Sequence, residues 1–302
     1  MHRAPPGDNR GVTLPTALAA RLPSPLTECA DERFTRRGLR LLLKRDDLIH
    51  PALPGNKWRK LVPNLVAALE AGYPTLLTFG GAYSNHLRAT AAAGRLLGLA
   101  TVGVVRGDEL ADRPLNASLA RCRADGMRLH FVSRAAYRRR AEPEYVAALR
   151  ARFGPCAVLP EGGSNDHAVR GCAALGRELA GRADVAAVAV GTGGTLAGLA
   201  ASGPPALGFP VLRGGWLGAE VARLQRSAFG GPRGSWRLDE GFHCGGYART
   251  TAELERFADD FEQRHGLALD RVYVAKLLLG LTTRATEGAF PPGTRVAAVI
   301  TG

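Results

Sequence analysis

Val185-Ala186-Ala187-Val188-Ala189-Val190 runs without a break into Gly191-Thr192-Gly193-Gly194-Thr195. Six consecutive apolar residues show no alternation. A strand made of them must be buried on both faces, the condition met inside a parallel sheet covered by helices. The same pattern of strand, glycine turn and helix recurs outward along the chain. Thr75 to Phe79 (TLLTF) reads as a buried strand that enters Gly80-Gly81 and then a helix from about Asn85 to Leu97. Thr101 to Val105, Arg128 to Val132, Cys156 to Leu159 and Arg295 to Ile300 read as further strands, and helices are predicted over Ala135 to Phe153 and Asp166 to Gly181. Continuous apolar strands alternating with helices predict an α/β protein with mainly parallel sheets.

At 302 residues and 46% apolar content the chain can bury one large core or two of ordinary size. Aromatic content of 6% and a mean hydropathy of −0.06 belong to globular proteins. The longest apolar stretch, Val185 to Ala201, is interrupted by the Gly191–Thr195 turn, and the opening MHRAPPGDNRGVTLP lacks the apolar run of a secretory signal. The expectation is a cytoplasmic protein with no membrane span. Cys29, Cys122, Cys156, Cys172 and Cys244 are odd in number and scattered, with no CxxC pair, so neither a disulfide framework nor a metal site is predicted.

The net charge is +13, yet only four of the 40 basic residues are lysine: Lys44, Lys57, Lys60 and Lys276. The arginines are dispersed and not interleaved with aromatics, which predicts a solvated basic surface rather than a nucleic-acid site. Arginine stays protonated, whereas a lysine amine can lose its proton and act as a nucleophile. The lysines therefore mark where amine chemistry is to be sought. Lys57 follows Pro54-Gly55-Asn56 at the start of a predicted helix carrying Trp58, Leu61, Val62, Leu65, Val66 and Leu69 on one face. Asn56 is expected to cap that helix, Pro63 to sit in its first turns, and Gly72 to close it. The positive end of the helix would lower the Lys57 amine's proton affinity, and Lys60 lies one turn on.

Two turns add candidate ligand contacts. Gly80-Gly81-Ala82-Tyr83-Ser84-Asn85-His86 joins a strand to a helix, so Ser84, Asn85 and the second-choice acid/base His86 would lie at a sheet's carboxyl edge, where ligands bind. Ser84 and Asn85 could equally do no more than cap the helix. Gly191-Thr192-Gly193-Gly194-Thr195 suits an anion: curled amides and Thr hydroxyls are phosphate donors, and the spacing is neither a Walker loop nor GxGxxG. Individually weaker signals are Pro160-Glu161-Gly162-Gly163-Ser164-Asn165, Gly245-Gly246-Tyr247, Tyr273-Val274-Ala275-Lys276 and Ile300-Thr301-Gly302.

Together KRDDLIHPALPGNKWRK, FGGAYSNHLRATAA, LPEGGSN, GTGGTLAG, GGYA and LDRVYVAK resemble the D-cysteine desulfhydrase and 1-aminocyclopropane-1-carboxylate deaminase family, in that family's order, from about Pro25 to Gly302. The resemblance implies a two-domain, tryptophan-synthase-β-like protein of pyridoxal-phosphate fold type II. Its larger cofactor-binding domain would comprise residues 1–61 and 158–302, with a smaller α/β domain, 62–157, inserted. It implies Lys57 as the lysine that carries the cofactor as a Schiff base and Lys60 as a phosphate contact. Asn85 would lie beside the ring hydroxyl, Ser84 beside the substrate, Gly191 to Thr195 around the phosphate, and Thr301 near the pyridine nitrogen. Tyr273 and Tyr247 would face the substrate.

Four positions depart from the family pattern. Pro54 stands where a glycine is frequent, Ala275 replaces glycine, Ile300 replaces histidine, and the chain stops at Gly302. A fifth, Val274, stands where the deaminases carry Glu and the desulfhydrases usually Thr, so no carboxylate favours protonation of the pyridine nitrogen. The expected reaction is β-elimination from a small, D-cysteine-like amino acid to keto acid and ammonia, by a cytoplasmic homodimer that binds neither nucleic acid nor membrane. Cyclopropane ring opening, racemisation and a non-catalytic cofactor-binding homologue are the alternatives.

Overall fold

The computed structural model describes residues 15–53 and 55–301. The departures at Pro54 and Gly302, and the N-terminal stretch 1–14, lie outside the described residues. Ten strands are formed among the described residues: β1 (Leu26–Cys29), β2 (Arg40–Arg45), β3 (Thr75–Gly80), β4 (Ala100–Arg106), β5 (Met127–Val132), β6 (Ala157–Leu159), β7 (Val185–Val190), β8 (Ala206–Pro210), β9 (Trp236–Leu238) and β10 (Arg295–Ile300). They make a six-stranded sheet in the order β1-β2-β10-β7-β8-β9 and a four-stranded sheet in the order β5-β4-β3-β6. Every pairing is parallel except that of β1 with β2. The fold is thus α/β with mainly parallel sheets, as expected from the sequence.

The predicted strand β7 is buried along almost its whole length, with Ala186, Ala187 and Val188 at 0% exposure. Its neighbour β10 sits at the centre of the large sheet, where Ala297 lies opposite Leu42 of β2 on one side and Ala186 of β7 on the other. Strands β1, β2, β8 and β9 gave no clear signal in sequence. β1 and β9 are only four and three residues long, β2 (RLLLKR) is charged at both ends, and β8 (ALGFP) contains glycine and proline.

Three helix expectations need correction. The span Ala135 to Phe153 is two helices, Arg134–Arg138 and Pro143–Phe153. Pro143 has no amide to continue the first helix and forces Glu142 into an extended conformation (ψ 130°), while its fixed φ suits the opening position of the second. The Lys57 helix spans Asn56–Glu70, and Gly55, at φ 66°, occupies the cap position expected for Asn56. Pro63 lies inside that helix rather than in its first turn. Its missing N–H leaves the Arg59 carbonyl unbonded within the helix. Gly171 of the Asp166–Leu179 helix packs so closely there that a Cβ would overlap this oxygen.

A buried ionic cluster fixes the Lys57 helix to the large sheet. Arg59 donates to Asp46 (2.8 and 2.9 Å) and to Glu178 (2.9 Å from each of two nitrogens). Lys44 of β2 reaches Glu178 Oε2 and the Ser24 carbonyl, both at 2.6 Å. Arg59, Asp46 and Lys44 have no exposed side-chain surface. Removing one partner of such a cluster leaves an uncompensated buried charge. The cluster thereby holds the residues on either side of Arg59, Lys57 and Lys60, in a fixed frame.

Candidate active site

The carboxyl ends of both sheets converge on one cavity of about 230 Å³. The Gly191–Thr195 turn follows β7 and Thr301 follows β10; from the smaller sheet, Gly81 to His86 follow β3, Arg106 ends β4, and Glu161 follows β6. Lys57, Lys60, Ser84, Asn85, His86, Gly191, Thr192, Gly193, Gly194, Thr195, Tyr247, Tyr273 and Thr301 all line this cavity. These residues span most of the chain, and the fold brings them to one place.

Lys57 Nζ donates to Asn56 Oδ1 (3.0 Å), and Asn56 Nδ2 donates in turn to Thr195 Oγ1 (3.0 Å). Burial lowers the Lys57 amine from 10.5 to about 8. The expected result is present, but its main cause is removal of water rather than the helix terminus. Lys60 is 2% exposed and donates to Ser164 Oγ (2.7 Å) and Thr192 Oγ1 (3.4 Å). Burial, reinforced by Lys57, lowers it to about 7. The hydrogen bonds of both ammonium groups go to neutral oxygens.

The glycine turn closes around Lys60. Gly193 has φ 81°, and a Cβ at Gly194 would come within 2.8 Å of Ser164 Oγ and 3.4 Å of Lys60 Cε. Ser164 also shares a 2.6 Å hydrogen bond with Thr192. The motif PEGGSN carried this serine in sequence, but nothing in its spacing distinguished Ser164 as a Lys60 partner.

On the opposite wall Ser84 caps the Asn85–Leu97 helix by accepting the Leu87 N–H (3.3 Å). The Asn85 and His86 N–H groups precede that bond and have no acceptor within the helix. His86 is buried. Thr78 Oγ1 donates to the Leu159 carbonyl (3.0 Å) and therefore accepts from His86 Nε2–H (2.7 Å). Burial and the two lysines hold this imidazole well below its ordinary value, so it is neutral, with its ring turned toward Gly163. The His86 ring is therefore engaged, and the donors this turn leaves for the cavity are backbone N–H groups and the Ser84 hydroxyl.

The Tyr247 and Tyr273 rings meet edge to face, with centroids 6.2 Å apart. Asp270 accepts the N–H groups of Tyr273 (2.7 Å) and Val274 (2.9 Å), and Gly191 leaves room for the Tyr273 ring, which a Cβ would approach to 3.3 Å. Burial, then the neighbouring Tyr247, raises the Tyr273 hydroxyl far above its ordinary value, so it stays protonated. Thr301 passes so close to Gly55 that a Cβ there would overlap its carbonyl. Arg106, Glu161, Asn56 and Leu212 also line the cavity and were not anticipated. Arg106 had a usable signal, its place at the carboxyl end of a predicted strand.

A family described as pyridoxal-phosphate dependent enzyme matches residues 19–202. The chain belongs to this pyridoxal-phosphate-dependent enzyme family. It is 30% identical to a mitochondrial bifunctional D-cysteine desulfhydrase/1-aminocyclopropane-1-carboxylate deaminase of Arabidopsis thaliana, over 90% of this chain and 74% of that protein. It is 29% identical to a D-cysteine desulfhydrase of Klebsiella pneumoniae (84% of this chain, 83% of that protein). A crystal structure described as an ACC deaminase homologue superposes with a TM-score of 0.79 at 26% identity, covering 92% of this chain and 89% of that one.

The cavity fits pyridoxal phosphate on its own chemistry. Two ammonium groups, Lys60 buried and Lys57 partly so, with lowered proton affinity and only neutral hydrogen-bond partners favour an anion beside them. The turn next to Lys60 is built of glycines whose side chains would fill that space. Lys57, near the turn, is the nucleophilic amine that an aldehyde requires.

Proposed function

We propose that this pyridoxal-phosphate-dependent enzyme eliminates a β-substituent from a small, D-cysteine-like amino acid, releasing keto acid and ammonia. The observation that carries the reading is a partly buried amine with a value of about 8 in the same cavity as a glycine turn suited to an anion and two tyrosine hydroxyls. The names borne by the relatives give the substrate class. Val274 adds to it: by resemblance it stands where a carboxylate would sustain ring protonation, and an apolar, buried side chain at that position favours expulsion of a good leaving group over ring opening.

In this reading Lys60, Ser164, Thr192 and the Gly191–Thr195 turn hold the phosphate, while Asn85 and Thr301 flank the ring. When bound, pyridoxal phosphate supplies a conjugated system that spreads the negative charge developed at the substrate Cα. The Ser84 hydroxyl and the Asn85 and His86 N–H groups hold the substrate carboxylate at the helix N-terminus. Lys57 Nζ, neutral above about pH 8, accepts the Cα proton. Tyr273, protonated at neutral pH, donates to the departing sulfur or oxygen, and Tyr247 covers it from the solvent side.

The proposed organisation is a 62–157 domain inserted between 1–61 and 158–302, in a cytoplasmic homodimer. The five unpaired cysteines suit a reducing compartment. Incubation with D-cysteine, D-serine, their L-isomers and 1-aminocyclopropane-1-carboxylate, assayed for keto acid and ammonia, tests the function. Pyruvate, sulfide and ammonia from D-cysteine are expected. Product from the cyclopropane acid alone would replace elimination by ring opening, and no product from any of them would overturn the reading.

A further inference from the structure

Two of the four lysines line the cavity and a third belongs to the ionic cluster beneath it; Lys276 does neither. It is completely buried in the Val274–Thr286 helix, and its Nζ donates to two main-chain carbonyls, those of His243 (2.9 Å) and Gly246 (2.8 Å). The loop it grips is conformationally costly. Cys244 (φ 51°), Gly245 (φ 86°), Gly246 (φ 121°) and Ala248 (φ 53°) all take positive φ, two of them with side chains. Such a run persists only where its surroundings over-determine it. The residue it presents is Tyr247, which lines the cavity and meets Tyr273 edge to face. Tyr273 lies three residues before Lys276, at the start of the same helix, where Asp270 anchors it.

We propose that Lys276 is a positioning residue: its buried ammonium ties the 243–248 loop to the helix that follows Tyr273, and so holds the Tyr247 ring against Tyr273 at the edge of the cavity. A compact ammonium satisfies two convergent carbonyls in a closed slot, whereas a planar guanidinium needs more room and more acceptors. That accounts for a lysine at 276 in a chain that otherwise uses arginine. The inference deepens the elimination reading, and its test separates the two.

K276M keeps the side-chain length and removes the N–H donors. By hydrogen exchange on the ligand-free protein, amides of 243–249 should exchange at least ~10-fold faster while those of 277–286 stay within ~3-fold of wild type, the signature of local rather than global opening. The affinity for pyridoxal phosphate, read by fluorescence titration, should change less than ~3-fold, because the phosphate and amine contacts are elsewhere. Turnover should fall ~10-fold or more in wild type but less than ~2-fold when K276M is added to Y247A, which lacks the ring to be held, since residues acting as a unit are not additive. Should K276M fail to fold, K276Q, which retains an N–H donor, is measured in the same way and should show the same pattern to a smaller extent. Unchanged exchange at 243–249, or an equal loss of turnover in both backgrounds, would overturn the proposal. An enzyme inactive on every amino acid would sink the elimination reading alone, because the exchange measurement still decides the role of Lys276.

Discussion

Burial without a counter-ion governs the chemistry of Lys57 and Lys60. Their amines sit at about 8 and about 7, against 10.5 for a free lysine side chain. Between these values and pH 10.5 the two amines bind more protons in the unfolded chain than in the folded one. They should therefore add stability to the ligand-free protein as pH rises from 7 to 9, below the range where buried thiols with raised values such as Cys29 and Cys122 act in the opposite sense. Denaturant melts across that range check the sign. K60M should stabilise the ligand-free protein at pH 7 by ~1–3 kcal/mol, by removing a desolvated charge, and should weaken pyridoxal phosphate binding ~10-fold or more. Paired melts and fluorescence titrations measure both effects. The rate at which ligand-free protein takes up the cofactor covalently should climb through pH 7 to 9, with its midpoint near pH 8, and level off above about 9, following the neutral fraction of Lys57; borohydride trapping should find no adduct in K57A.

Helix and turn junctions, more than strand interiors, decide whether those amines are correctly placed. Gly55 is the sharpest case. It enters the Asn56–Glu70 helix at φ 66° and ψ −151°, a region open in practice to glycine alone, and it lies flat against the Thr301 carbonyl. Gly55→Ala should cost ~2–4 kcal/mol in unfolding free energy through strain and steric overlap, and should also loosen the cofactor, because Lys57 and Thr301 would move apart. Chemical denaturation of the variant, with and without pyridoxal phosphate, reads both. The sequence marked Pro54-Gly55-Asn56 as the entry to this helix. It did not show that the crowding partner is the other end of the chain, because a steric contact across 246 positions leaves no local pattern.

The molecule as a whole is two mainly parallel sheets whose carboxyl edges face one cavity. A homodimer should run at twice the 31.9 kDa chain mass in sedimentation, and a purely monomeric species that turns over substrate would refute that part of the proposal. What the sequence determined by itself were the features carried by neighbouring residues: the apolar strands β3, β7 and β10, the helix Asn85–Leu97, the glycine turn after β7, and the family to which their ordered motifs point. Periodicity, turn chemistry and motif spacing are local, so they survive in one dimension. Tertiary structure alone decided that burial lowers the Lys57 amine, that Ser164 and Thr192 receive Lys60, that the His86 ring turns away to Thr78, that Lys44 binds Glu178 and the Ser24 carbonyl, and that Lys276 binds two main-chain carbonyls. Each of these depends on which side chains exclude water from which others, and desolvation is a property of the packed chain, not of any segment of it.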